Sequence, residues 1–454
     1  MTQAEEAVAR FHKLLESDKF KNLEWAQALE EQIRGLRLAG GSWGVLPVLR
    51  PHFIPRRQYN SLVKAAEALL AAIDRVKKIA LSSPQLLSRM ELLPAEKMLA
   101  SVDPRYPFAA VTSLLDTQIA NGSMHFMQFN VGAPTGVASS ELLANLYYNC
   151  PIVREFRKKY ELTKIGGTRH LLRALLEAYQ SFGKKRHPQI AILEFRSPAQ
   201  STQSREHVLL AESFRRAGYP TEVVSPDQLD YRGGILRAGN FEIDVIYRRL
   251  TVQEFLVRFD LSHPLVRAYK DGAVCVVNSF RAELAHKKAI FDLLTDETIT
   301  ANFPAPEKKA IEQHIPWTRV VAPVRTTYRD QVIDLPEFIL KNREKLVLRP
   351  NDVGSEQRVW VGAETREADW ERALRTALRY PYVVQERVEA KAIPFPLYQF
   401  GSLEMRNMIV DVQPHIYLGK VHDCSSWLSE AGSGFSTLSG LAPTFILEGA
   451  ADSD

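Results

Sequence analysis

Between residues 188 and 280, apolar strand-like runs alternate with helical ones, and this alternation constrains the fold more than any other feature of the chain. The run 189–195 (QIAILEF) is continuously apolar, as in a strand covered on both faces. An amphipathic helical pattern over 206–217 closes at Gly218. Short apolar runs follow at 221–224 (TEVV), 244–247 (DVIY) and 273–278 (AVCVVN). Strands separated by helices in this way predict a parallel α/β sheet.

The flanking regions read differently. Ala7, Phe11, Leu14 and Leu15, then Trp25, Leu29, Ile33 and Leu36, recur at helical spacing. An extended Pro/Arg-rich stretch (46–57) and a helical segment (58–100) come next. Two strands are predicted at 108–115 and 124–131, joined by the Asn121–Gly122 turn signal. Beyond the parallel region, a helix is predicted at 282–294, strands at 346–348, 359–361, 382–385 and 407–411, and a helix at 368–378. The Ser/Gly-rich segment 427–439 reads as a mobile loop or plain surface.

With 454 residues the chain accommodates two or three domains. Its net charge of +5 permits anionic ligands but gives no argument for nucleic acid. No run reaches the length a membrane helix needs. Cys150, Cys275 and Cys424 are far apart and form no CxxC pair, which fits a reducing compartment; with the charged, helical N-terminal segment, this leads us to expect a cytoplasmic protein.

The richest local pattern is Met127–Gln128–Phe129–Asn130, running through Val131–Gly132–Ala133–Pro134 into Thr135–Gly136. On a strand, Gln128 and Asn130 point to one face. Two side-chain oxygens at a strand end suit a hard cation, or the amides suit a phosphate. Simple polar alternation on a half-buried strand is the plainer reading.

No GxxxxGK[ST], HExxH or Rossmann GxGxxG pattern is present. Gly40–Gly41–Ser42–Trp43–Gly44 spells GxSxG, but it follows a charged helix and precedes a Pro-rich stretch, so it reads as a helix terminator. Candidate phosphate ligands are scattered instead. Lys287 and Lys288 precede an apolar helix, although a solvated helix face is the ordinary reading of such a pair. Arg349 ends an apolar strand ahead of the loop Asn351–Gln357, which contains Gly354 and Ser355; such loops can fold over phosphates with backbone N–H groups inward. Tyr382–Glu386 is an apolar strand ending in polar groups.

Together these elements resemble the circularly permuted ATP-grasp family, in the glutathionylspermidine synthase-like and uncharacterised branches, over about residues 105–450. The resemblance implies an α/β, in part α+β, chain with four regions: a mainly helical 1–104, a metal-strand part of the core at 105–187, a pre-ATP-grasp parallel domain at 188–285, and nucleotide-binding lobes at 286–450. It implies ATP and Mg²⁺ as cofactors. Lys288 and Arg349, with Gly354 and Ser355, would hold phosphates; Gln385 and Glu386 would frame the adenine; Asp116, Gln128 and Asn130 would hold Mg²⁺. Arg248 and Arg249 would bind an anionic substrate or acyl phosphate, with structural salt bridges as the equal alternative. The implied activity is ATP-dependent carboxylate–amine (or thiol) ligation through an acyl phosphate. Its partners would be small-molecule or peptide carboxylates and amines, with no nucleic acid, no membrane and a homodimer as an option. Three departures favour the alternative, an impaired homologue acting as a nucleotide-binding or scaffold protein: the family's metal-binding Glu is Gln128, its second acidic position is Gly132, and its phosphate-contacting Lys is Arg349.

Overall fold

A computed structural model describes residues 2–36, 44–108, 110–120, 123–132, 135–183, 186–195, 205–352, 358–431 and 438–449. The GxSxG residues 40–43, the Asn121–Gly122 turn, Gly354 and Ser355 lie outside them.

The parallel sheet forms as read, but the link between its strands Thr221–Val224 and Val245–Arg248 is a small antiparallel meander (Leu229–Arg232, Ile235–Ala238, Phe241–Glu242) and not the expected helix. Cys275–Val277, Val245–Arg248, Ile190–Leu193 and Thr221–Val224 form, in that order, a four-stranded sheet that is parallel throughout. Ile190, Ala191, Ile192 and Leu193 are all buried, because helices cover both faces.

A larger antiparallel sheet carries the polar strand pattern. Its order is Ser439–Ala442, Lys420–Glu430, Ser402–Tyr417, Thr112–Ala120, Ser123–Asn130, with Ile393–Gln399 also pairing with Ser402–Tyr417. One face is apolar: Leu115, Phe126, Phe129, Val412 and Ile416 share a core with the 27-residue helix Arg56–Ser82. That helix buries Leu69 and Ile73 among others, each side chain contributing roughly 2 kcal/mol.

A third sheet, Thr318–Val320, Tyr382–Glu386, Leu346–Pro350, Trp360–Val361, is antiparallel and packs on the helix Glu367–Ala377 around the buried Trp370. The N-terminal helices Gln3–Leu15 and Glu24–Gly35 bury the residues that the helical spacing marks, except Leu36 at the end of the second. They pack with Phe53, Phe395 and Phe445.

Asn278 joins the parallel sheet to the large one. Its Oδ1 accepts from the backbone N–H groups of Val111 (2.7 Å) and Thr112 (3.2 Å), and its Nδ2 donates to the carbonyls of Thr112 (2.6 Å) and Val131 (2.8 Å). One buried amide therefore fixes where both polar strands of the large sheet begin and end.

Several expectations need correction. The predicted helix 282–294 breaks into Glu283–His286 and Ala289–Leu294. Asn351 causes the break: its carbonyl accepts from Lys288 N–H (2.9 Å) and its Oδ1 from Ala289 N–H (2.8 Å), replacing the helical ladder there. The predicted strand 407–411 is the middle of the sixteen-residue strand Ser402–Tyr417, whose alternating Asp411, Gln413 and His415 disguise it as polar loop. Of the segment 427–439, Trp427–Glu430 closes one strand and Ser439 opens the next, so these five residues are sheet, while 432–437 lie outside the described residues. The helical segment 58–100 begins at Arg56 and is divided at Pro84 and Pro94, where proline removes a backbone donor. The strand predicted at 108–115 runs over Thr112–Ala120 and so contains Asp116.

Candidate functional site: a buried charged cluster between two sheets

The polar face of the large sheet gathers the sequence-singled residues. Asp116 lies directly opposite Gln128 in the antiparallel register, so the two share a face. Asp411 lies opposite Gln118 on the adjoining strand, and Gln413 donates from Nε2 to Asp116 Oδ1 (3.0 Å). Asn130 sits at the strand end, opposite Leu114.

The register shifts just past Asp116, where Ser123–Asn130 carries one extra residue, Met127. A bulge leaves a ladder group available for other partners. The Met127 carbonyl accepts from Arg349 Nη1 at 3.3 Å. The same Nη1 donates to Gln385 Oε1 at 3.1 Å, and Gln385 Nε2 donates to Thr318 Oγ1 at 3.1 Å. Arg349 thus reaches from the third sheet onto the metal-strand candidate, held there by a glutamine that is 1% exposed.

Lys287 and Lys288 do not form a solvated face: they are 3% and 5% exposed. Desolvation brings the Lys288 ammonium down from its ordinary 10.5 to about 7, helped by the nearby Arg349 guanidinium and opposed by Asp352 and Asp116. Burial raises Asp411 from 3.8 to about 7, with the Asp116 carboxylate adding to the rise. Asp116 is itself raised by burial, and Arg349 and Lys288 pull it back. Arg349 is lowered by burial against the attraction of Asp116 and Asp411. Asp116 and Arg349 each feel the other's charge, Lys288 feels both of them, and so does Asp411, which draws the four groups toward one region.

Two atoms of the cluster have no hydrogen-bond partner among the described residues: Arg349 Nε and Asp411 Oδ1. A buried guanidinium N–H and a buried carboxylate oxygen left unmatched suit a ligand that carries both phosphate oxygens and a cation. The donor set fits as well. Cationic Lys288 and Arg349 complement phosphates, and Asp116, Gln128, Asn130 and Asp411 supply the oxygens that Mg²⁺ prefers.

The remaining candidates lie differently. Glu386 follows Gln385 but faces the other way, accepting from Tyr328 Oη (2.6 Å) and Arg329 Nη2 (3.1 Å). Arg248 is fully buried; it donates to the Asn278 and Leu250 carbonyls and pairs with Glu283 at 3.3 Å. Arg249 pairs with Glu194 at 3.1 Å. Glu194 also lines a cavity of about 150 Å³ with His207 and Ser225, at the carboxyl ends of two parallel strands. Among the described residues, the two arginines therefore adopt salt-bridged positions. Sequence reading overlooked Gln413, Thr318 and Asn351 as supports. The D-x-Q-x-H alternation from Asp411 to His415 is the signal that could have found Gln413.

No protein-family model matches the chain, and no curated protein matches it. Among solved structures, the chain is similar to a glutathione synthetase-like effector from Globodera pallida in its apo form: TM-score 0.60, 13% identity, covering 95% of this chain and 98% of that one. A candidate gamma-glutamylcysteine synthetase from Methylobacillus flagellatus matches with a TM-score of 0.43 and 12% identity over 86% of each chain. The ATP-grasp ligase PsnB, in complex with a minimal precursor, matches at 0.27 and 12% identity, over 57% of this chain and 89% of that one. The first likeness carries the fold alone: this chain has the architecture of that glutathione synthetase-like effector. Among the described residues, no helix is long and apolar enough to cross a membrane. The three cysteines are buried and free.

Proposed function

We propose that the protein is an ATP-dependent carboxylate–amine (or thiol) ligase of the circularly permuted ATP-grasp type. The observation that carries this reading is the convergence of Lys288 and Arg349 with Asp116 and Asp411, leaving Arg349 Nε and Asp411 Oδ1 unmatched. ATP would supply the phosphoryl group that activates a carboxylate, and Mg²⁺ would offset the phosphate charge.

The chain's own work is then positioning and electrostatics. Arg349, oriented by Gln385 and the Met127 carbonyl, presents its remaining donors to phosphate oxygens. Lys288, with its backbone fixed by Asn351, presents its ammonium alongside. Asp116, held by Gln413, would give the metal an anionic oxygen, and Gln128 and Asn130 would give neutral ones. The order of elements along the chain supports the permuted assignment: the metal-strand hairpin precedes the parallel region, and the sheet bearing Arg349 and Gln385 follows it. The test is titration with ATP with and without Mg²⁺, followed by ADP release in the presence of carboxylate and amine mixtures. Metal-dependent binding with amine-dependent ADP release supports the ligase; binding without turnover supports the scaffold alternative.

A further inference from the structure

A second group of potential metal ligands includes none of the residues assigned to Mg²⁺. Glu283 and His286 are three residues apart on one short helix, so they share a face. Asp352 comes to them from beyond the strand Leu346–Pro350. One ligand atom from each of Glu283, His286 and Asp352 lies within 4.8 Å of the others. His286 is 1% exposed, and neither ring nitrogen has a hydrogen-bond partner among the described residues. An imidazole this buried normally satisfies at least one nitrogen. Its Nε2 lies 3.8 Å from Asp352 Oδ1, too far for a hydrogen bond and about the spacing of two atoms sharing one cation.

The surroundings are arranged as outer support. Glu283 Oε2 accepts from Arg248 Nη2 (3.3 Å), leaving Oε1 with only a 3.5 Å contact to Val252 N–H. Asp352 Oδ2 accepts from Lys287 Nζ, which also donates to Glu96 Oε1 at 2.6 Å. Each carboxylate is therefore oriented by a cation through one oxygen, as ligands in metal sites commonly are. Gly132 leaves the His286 side open: a Cβ there would stand 3.6 Å from Nε2 and 3.2 Å from Thr251 Cγ2.

We infer that Glu283, His286 and Asp352 form a binding site for a divalent transition-metal cation. One imidazole nitrogen with two carboxylates suits Zn²⁺ or Mn²⁺ rather than Mg²⁺, which favours an all-oxygen shell. Zn²⁺ is the first choice on donor type. Because Asn351 and Asp352 adjoin Lys288, the ion would pin the end of the Arg349 strand to the helix break that carries that lysine.

The test uses the full chain, stripped with chelator and dialysed, with Zn²⁺ alone as the probe. We expect one Zn²⁺ per chain by elemental analysis and a rise in melting temperature on adding Zn²⁺. His286→Ala and Asp352→Asn should each weaken Zn²⁺ at least tenfold, while Asp116→Asn leaves it unchanged. Should either ligand variant fail to fold, Co²⁺ substitution in the wild-type chain gives a second readout, a d–d absorption band that Zn²⁺ displaces. Absence of stoichiometric Zn²⁺ and of the Co²⁺ band overturns the site. So does Zn²⁺ that survives both ligand substitutions or departs with Asp116→Asn.

Discussion

Arg349 donates to Gln385 Oε1 at 3.1 Å, and this one hydrogen bond aims the guanidinium across to the bulged strand that bears Gln128 and Asn130. One side chain thereby ties together two sheets distant in sequence. The arrangement depends on a planar donor: one Nη1 serves both Gln385 and the Met127 carbonyl, a geometry a lysine ammonium would meet less rigidly.

Arg349→Ala is therefore expected to weaken ATP binding by roughly tenfold to a hundredfold, the loss of a charge-assisted hydrogen bond or two. Arg349→Lys should fall between, keeping charge and losing the fork. Calorimetric dissociation constants for the three proteins check the order.

Gln128→Glu adds a carboxylate opposite Asp116 and near Asp411. Without metal, like charges repel, so its melting temperature in chelator should fall below that of the parent. With Mg²⁺ and ATP it should rise above it. A thermal-shift series over Mg²⁺ concentration reads both signs, and an unchanged response to Mg²⁺ removes residue 128 from the ligand set.

The pH dependence of stability follows from two opposed groups. Asp411 is raised from 3.8 to about 7, so between about pH 4 and 7 the folded chain holds a proton that the unfolded chain has released, and stability falls as pH rises. Lys288 is lowered from 10.5 to about 7, so above about pH 7 the unfolded chain holds the extra proton, and stability rises with pH. Asp411→Asn should flatten the first slope and Lys288→Met the second, measured as denaturant midpoints across the range.

Phosphate binding should favour the charged form of Lys288. Near pH 8, where the free chain holds this amine mostly neutral, ATP binding should take up as much as about one proton. Calorimetry in two buffers of different ionisation enthalpy measures the uptake, and Lys288→Met should abolish it.

Asn278→Ala removes four hydrogen bonds to Val111, Thr112 and Val131 and leaves their backbone groups buried. A loss of about 2–5 kcal/mol is expected from the unsatisfied groups. Urea unfolding monitored by circular dichroism measures it.

The parallel sheet was legible because strands covered on both faces are apolar throughout, as at Ile190–Leu193. The long strand Ser402–Tyr417 was not, since Asp411, Gln413 and His415 alternate along one face and break its apolar pattern. Candidate residues were legible where a polar group ends an apolar run, as at Arg349. Burial of the Lys287–Lys288 pair was not, because it depends on Asn351, Asp352 and Glu96, all distant in sequence. For Arg248 and Arg249 the sequence left anion binding and structural salt bridges equally open, because their carboxylates, Glu283 and Glu194, come from elsewhere in the chain.

Titration of the purified protein with ATP, in Mg²⁺ and in chelator, tests the central claim most directly, with Arg349→Ala run in parallel. The account predicts micromolar binding that requires Mg²⁺ and is weakened at least about tenfold in the variant. Absence of ATP binding in every condition, or binding indifferent to both Mg²⁺ and Arg349, would contradict it.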